Sequence, residues 1–246
     1  MADYTEPGYG NRIAEIYDEY YAAVDPASID LLAKIVGDGT ALELGIGTGR
    51  IALPLHERGV KVKGIDASLA MLSKLKEKPL GPQVEVMKGS FADFEWKEQF
   101  QLIYVVFNTF FNLQTQEDQI QCFKACRRHL ADGGKFLIEA FVPDPCRFTD
   151  HQTVRVIDST ADPVRLEASL YDPVNHKVSS QHILISQDGI RFQPVRIRFA
   201  WPSELDLMAR IAGLSLENRW GSWRKAVFDK HAQKHISVYG VQSGTH

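Results

Sequence analysis

An α/β fold, with a parallel sheet covered by helices on both faces and an antiparallel insertion, is the architecture the residue order predicts. Three observations carry it. Segments of strand and helix periodicity alternate from residue 40 to residue 141. The runs 102–107 and 136–138 are apolar throughout, as strands buried on both faces are. The alternation then stops near residue 150, where four β-rich stretches follow one another between turn signals.

The chain opens with a helical pattern over about residues 11–36, with Ile13, Ile16, Tyr17, Tyr20 and Tyr21 on one stripe. Pro26 marks a second helix start, and Gly37-Asp38-Gly39 ends that helix. Strands are then expected at 40–44, 60–65, 84–87, 102–107 and 135–141, and helices at 48–58, 68–77 and 117–129. Ser68 caps the second of these helices, and Asp132-Gly133-Gly134 turns into the last strand. Strands at 154–157, 164–171, 177–186 and 190–199 form the insertion. A helix at 203–212 and strands at 215–220 and 235–241 complete the sheet. The reading divides the chain into an N-terminal helical lid (1–36), a core (37–150 and 201–246) and the β insertion (151–200).

Charge and cysteines narrow the setting. A net charge of -3 over 246 residues gives no attraction for nucleic acid or an anionic membrane. No apolar run reaches the roughly 18 residues of a membrane span, and the first residues lack signal-peptide character. The three cysteines fit no zinc spacing, and Cys122 and Cys126 lie one helical turn apart as reduced residues. A cytoplasmic protein without a bound metal is expected.

Glycines at 45, 47 and 49 follow the first strand, where ligands approach open α/β sheets. By spacing alone they fit a dinucleotide turn as well, since Gly47-x-Gly49-x-x-Ala52 satisfies that fingerprint. Glu43 weighs against a pyrophosphate: a carboxylate there opposes two negative charges at short range. A ligand with an ammonium group, a sulfonium and no phosphate is attracted instead, and S-adenosylmethionine is such a ligand. Asp66, 17 residues after Gly49, closes the second strand where an acidic residue accepts from both ribose hydroxyls.

The run Ala41-Leu42-Glu43-Leu44-Gly45-Ile46-Gly47-Thr48-Gly49-Arg50 resembles the first motif of class I S-adenosylmethionine-dependent methyltransferases, and Gly64-Ile65-Asp66-Ala67-Ser68 with Met71-Leu72 resembles their second. Residues 86–94 are similar to the adenine-holding motif, except that Ser90 stands where Asp is usual. Residues 100–109 match the fourth strand, and 130–134 the turn before the fifth. The resemblance covers residues 40–142 and implies a Rossmann-like, seven-stranded class I sheet. It further implies that Gly45 and Gly47 approach the methionine portion, that Glu43 biases the charge, and that Asp66 binds the ribose. Ala67 and Met71 then pack on the adenine, Ser90 and Phe91 flank its edge, and Phe107 and Asn108 lie under the sulfur.

Methyl transfer is an in-line displacement at an already activated carbon, so alignment and exclusion of water do most of the work. Catalytic signatures are correspondingly faint. Residues 9–18 resemble the opening helix of small-molecule methyltransferases, including bacterial amino-sugar N-methyltransferases, in which that helix closes over the cofactor and the insertion roofs the acceptor. Tyr9 and Arg12 are therefore expected at the cofactor, Tyr17 and His129 at the acceptor. For His129 a place at a helix C-terminus is the competing reading. Tyr21, Phe110, Phe111, Glu139, Phe141, Arg198, Trp201 and His182 complete the candidate acceptor pocket, and the insertion is also expected to carry a homodimer contact. The expected activity is methyl transfer to N or O of a small molecule. The alternatives are an S-adenosylmethionine-binding protein without methyl transfer and, further off, a nicotinamide-dependent oxidoreductase.

Overall fold

A computed structural model describes residues 10–11, 13–21, 23–159 and 162–242. Helices α1 (Tyr17–Tyr21) and α2 (Pro26–Val36) open it. Pro26 stands in the first turn of α2, where its missing N–H costs nothing, and the Asp25 carboxylate accepts from Ala27 N–H at 3.0 Å. Then follow β1 (Thr40–Leu44), α3 (Ala52–Glu57), β2 (Lys61–Asp66), α4 (Leu69–Glu77), β3 (Glu85–Lys88), β4 (Phe100–Val105), α5 (Gln116–His129) and β5 (Leu130–Phe141).

The insertion consists of β6 (Gln152–Asp158), β7 (Val164–Asp172), β8 (Lys177–Ser186) and β9 (Gly189–Arg198). Helix α6 (Pro202–Ile211) and strands β10 (Leu214–Trp220) and β11 (Lys234–Val241) return to the main sheet. That sheet has seven strands in the order β10-β11-β5-β4-β1-β2-β3, with β11 antiparallel to both neighbours and the other pairings parallel. Strand order reverses between β1 and β4, so a crevice opens at their carboxyl ends.

Alternate residues of β4 feed two cores. Ile103 and Val105 pack with Leu42, Leu44 and Phe123 under α5 and α6. Leu102 and Tyr104 pack with Ala41, Leu32 and Leu55 under α2 and α3. Burial on both faces is why β4 reads as an unbroken apolar run.

At the edge opposite the crevice β5 begins at Leu130 rather than 135, so Asp132-Gly133-Gly134 lies within the strand, and two further boundaries differ beside the crevice. Helix α3 starts at Ala52 rather than 48, because Gly45, Gly47 and Gly49 hold φ of 70°, 57° and 81° and delay helical geometry. Strand β4 stops at Val105, because Phe107 and Asn108 take the left-handed φ values 57° and 63°. Such values cost of order 1 kcal/mol or more at a non-glycine residue and persist only when neighbours impose them. Here Glu139 of β5 accepts from Phe107 N–H at 2.8 Å, and Asn108 Oδ1 accepts from Phe141 N–H at 2.7 Å.

The four insertion strands form a separate antiparallel sheet, β6-β7-β8-β9. Arg198 anchors it to the core: its guanidinium donates to Gln119 Oε1 and Glu204 Oε1, both at 2.6 Å, and its carbonyl accepts from Gln119 Nε2 at 2.8 Å. Arg198 is buried in this anchor and Trp201 packs into the core below it, so neither faces the expected acceptor pocket. Phe110 and Phe111 are likewise fully buried core residues.

Candidate active site

The glycine turn after β1 lies at the reversal of strand order. A Cβ on Gly45 would stand 2.4 Å from Thr109 Cγ2, so both its positive φ and its surroundings exclude a side chain. Asp66, at the end of β2, fixes the turn from the neighbouring strand. Its Oδ2 accepts from Gly47 N–H and its Oδ1 from Ser68 N–H, each at 2.8 Å. Each oxygen keeps a further acceptor lone pair. Burial pushes the Asp66 pKa up, and the two N–H donors oppose that shift.

Around this turn lies a narrow, partly open cleft. The residues the sequence placed at the cofactor that line it are Gly45, Gly47, Asp66, Ala67, Met71 and Phe91, with Tyr17 from α1. Gly10, Thr109 and Asn112 line it as well and escaped the sequence reading, although Gly10 and Thr109 lie inside the resembling stretches. The N-terminal segment closes one side. Asn11 Oδ1 accepts from Ser68 Oγ at 2.7 Å, and a Cβ on Gly10 would approach Ser68 Cβ to 2.6 Å. Asp18 accepts from Thr48 Oγ1 and pairs with Lys78 Nζ, both at 2.6 Å, while Glu15 pairs with Lys74 at 2.9 Å. Tyr9 and Arg12 lie outside the described residues.

Several expected site residues stand elsewhere. Glu43 is buried beneath the turn, accepting from Tyr104 Oη at 3.0 Å and from the backbone N–H of Ala52 at the start of α3. Burial pushes its carboxyl up to about 8, against the pull of Tyr104 and Arg50. Near neutral pH it is therefore largely protonated. It meets the amino end of α3 as an uncharged acceptor rather than as the negative charge the sequence suggested. Ser90 is exposed on a turn and accepts from Ala92 N–H at 3.2 Å. Phe107 is 42% exposed, packs edge-on to Tyr21 at 5.6 Å and lies under Arg50 at 4.2 Å. With Asn108, Glu139 and Phe141 it lines a neighbouring cavity rather than the cofactor cleft.

His129 is withdrawn from the acceptor. It ends α5 beside Leu130, which pairs with Phe100 at the start of β4, and so sits at the edge of the sheet opposite the crevice. Its Nδ1–H donates to Ala125 O at 2.9 Å and its Nε2 accepts from Trp96 N–H at 2.9 Å. These two bonds fix a neutral tautomer at a helix end. His182 does face inward from the insertion, with Nε2 3.3 Å from Glu167 Oε2.

Known proteins share this arrangement. Residues 41–134 match the methyltransferase domain model. The cypemycin N-terminal methyltransferase of a Streptomyces species is 30% identical over 241 residues, covering 94% of this chain and 96% of that protein. The chain belongs to the S-adenosylmethionine-dependent methyltransferases. The structure of the CcbJ methyltransferase from Streptomyces caelestis superposes with a TM-score of 0.92 at 37% identity, over 98% of this chain and all of that one. An S-adenosylmethionine-dependent methyltransferase from Clostridium acetobutylicum, at 17% identity and a TM-score of 0.80 over 95% of this chain and 99% of that one, shares the fold.

The residues fit S-adenosylmethionine, the cofactor of this family. The bare Gly45–Gly47 backbone, the unused lone pairs of Asp66 and the apolar Ala67, Met71 and Phe91 offer one polar and one apolar end within a single cleft. Bound there, the cofactor supplies a methyl group on a positively charged sulfur. The chain supplies shelter and alignment. Among the described residues no helix is long and apolar enough to cross a membrane, and no group of His, Cys, Asp and Glu is placed to hold a metal ion.

The raised Glu43 pKa has a measurable consequence. The unfolded chain loses this proton near pH 4.5, the folded chain near 8, so stability falls as pH rises between those values. The limiting slope for one group is about 1.4 kcal/mol per pH unit. Glu43→Gln, which stays neutral, is expected to lack this fall, so that the denaturant midpoint of the wild type drops relative to that of the variant between pH 5.5 and 8. Parallel curves for the two proteins would refute the buried, protonated state.

Proposed function

We propose that this methyltransferase acts on the amine nitrogen of a small molecule. The feature that carries this reading is the phenol of Tyr17, placed in the lining of the cleft. Burial pushes its phenol up to about 12, against the pull of Arg50, so it holds its proton throughout the physiological range. A phenol in that state is no general base, and Asp66, the other ionisable residue of the cofactor cleft, is held by backbone N–H groups, so neither side chain beside the methyl donor takes a proton from the acceptor. An amine that arrives with a free lone pair needs no base at the site, whereas an alcohol does. Tyr17 then orients the acceptor through its hydroxyl, while Asp66 receives the ribose, Gly45 and Gly47 the methionine portion, and Ala67, Met71 and Phe91 the adenine. The relative named for N-terminal methylation supports nitrogen as the acceptor atom.

The acceptor enters through the cavity between the β4 and β5 ends and the insertion, where Asn108 and Phe141 border both open pockets. A transfer assay with labelled cofactor over secondary amines, primary amines and phenols tests this. Labelled amines and unlabelled phenols are expected; the reverse pattern would overturn the nitrogen assignment.

The outer face of the insertion supports a homodimer. Val154, Val156, Leu170, Ile190 and Phe192 share this face and are 59–72% exposed. Apolar side chains spread over the sheet, with Arg196 on the same face, suit a second copy packed face to face. Phe192→Asp is expected to yield monomers in sedimentation experiments, with cofactor affinity preserved; a monomeric wild type would dismiss the dimer.

A further inference from the structure

The inner face of the insertion carries a charge cluster with no part in holding the cofactor. Glu167 of β7 is 6% exposed and shared among several groups. Arg155 of β6 grips it with two bonds, Nε to Oε1 and Nη2 to Oε2, each 3.2 Å. Ser169 Oγ donates to Oε1 at 3.0 Å, and His182 Nε2 lies 3.3 Å from Oε2. Burial works against this carboxylate, yet His182 and Arg155 hold its pKa down to about 2, so it stays ionised. Arg147 reaches the same carboxylate only at 3.5 Å and, among the described residues, makes no hydrogen bond of normal length.

Arg147 and Arg155 both line an open cavity of about 750 Å³ between the insertion and the core. Its wall is a ladder of rings: Phe148 stacks on Tyr171 at 4.8 Å, and Tyr171 on Phe199 at 5.9 Å. The Arg147 guanidinium lies 4.7 Å over the Phe148 ring, which fixes its plane at the cavity edge. Asp144, the carboxylate in the lining, caps its own turn by accepting from Cys146 N–H at 3.0 Å, and Lys230 adds a further positive charge. One buried carboxylate thus serves two guanidiniums, and its hydrogen bonds go to Arg155, Ser169 and His182 rather than to Arg147. Burial also pulls the Arg147 pKa down, with Glu167 and Asp144 opposing and Arg155 adding to the shift. Arg147 is exposed at the cavity edge, so its remaining donors face the open space, where a planar oxyanion can take two parallel bonds.

We propose that Arg147, set in place by Glu167 and Arg155, binds a carboxylate or phosphate on the acceptor, whose adjoining apolar or aromatic part lies along Phe148 and Tyr171. The site therefore selects an acceptor that carries both an amine and an anionic group. This gives chemical class to the acceptor proposed above and rests on that reading for its place in the reaction. A neutral or purely cationic amine gains nothing from this guanidinium, whereas an anionic group gains a charge-assisted pair of bonds.

Benzoate, which combines a carboxylate with a flat ring, is a direct probe. Titrated calorimetrically into the enzyme saturated with S-adenosylhomocysteine, it is expected to bind the wild type, with benzylammonium binding at least tenfold more weakly. Arg147→Gln should weaken benzoate at least tenfold, Arg147→Lys should recover part of the loss, and cofactor affinity should not change in either. Inorganic phosphate in competition separates a general oxyanion site from one that also needs the ring. Benzoate affinity unchanged in Arg147→Gln, absent from the wild type, or no better than that of benzylammonium would overturn the proposal. If benzoate binding depends on Arg147 but no amine is methylated, the acceptor reading fails and the anion site stands; methylated amines with no Arg147 dependence sink the anion site alone.

Discussion

Asp66→Ala is expected to weaken S-adenosylhomocysteine binding by about 100-fold, close to 3 kcal/mol, in a calorimetric titration. Two losses combine. The ribose hydroxyls lose a charged acceptor, for which a hydrogen bond contributes about 1.5–3 kcal/mol. The turn also loses its brace, because the same carboxylate accepts from Gly47 N–H and Ser68 N–H. Without it the glycines, all at positive φ, are free to sample other conformations before the ligand arrives, and that freedom must be given up on binding. Asp66→Asn divides the two effects. Its amide oxygen accepts one of the backbone N–H bonds, but its NH₂ group meets the other donor. Wild-type affinity in the Asp66→Asn variant would show that the carboxylate neither braces the turn nor meets the ribose.

The cofactor half of the site was legible in the sequence because its contacts are short-range along the chain. Gly45, Gly47, Asp66, Ala67 and Met71 come from two consecutive strand-to-helix turns, and parallel pairing of β1 with β2 brings those turns together in any fold of this order. Strand and helix order over residues 40–141 was legible for the same reason. What the sequence obscured depends on direction and long-range partners. His129 precedes a glycine turn, as an acceptor-contacting residue would. A helix crossing between parallel strands, however, runs back to their amino edge, so its last residue must lie far from the crevice. Phe107 belongs to an apolar run and reads as strand, but the Glu139 carboxylate, 32 residues on, takes its N–H and imposes the left-handed turn. Glu43 was read as a charge. Its environment, with Tyr104 61 residues away and burial on all sides, makes it an uncharged group near neutral pH.

Tyr17→Phe separates alignment from proton transfer. The ring of Tyr17 packs against Tyr21 at 5.1 Å, so phenylalanine keeps the packing and removes only the hydroxyl at the cleft. The expected result is a fall in kcat of about 10- to 100-fold, the equivalent of one hydrogen bond to the reacting group. The KM for S-adenosylmethionine should stay close to that of the wild type. The pH dependence carries the decisive sign. With its pKa near 12 the phenol does not ionise between pH 6 and 9, so a rising limb in that range does not belong to Tyr17 and is expected from deprotonation of the acceptor amine. That limb should therefore survive in Tyr17→Phe at the same midpoint, lowered in height alone. If it vanished or moved, Tyr17 would be removing a proton during the reaction, and the acceptor would be a group that needs a base. A lowered profile of unchanged shape means that the enzyme's contribution at this residue is to point an already available lone pair along the axis of the breaking carbon–sulfur bond.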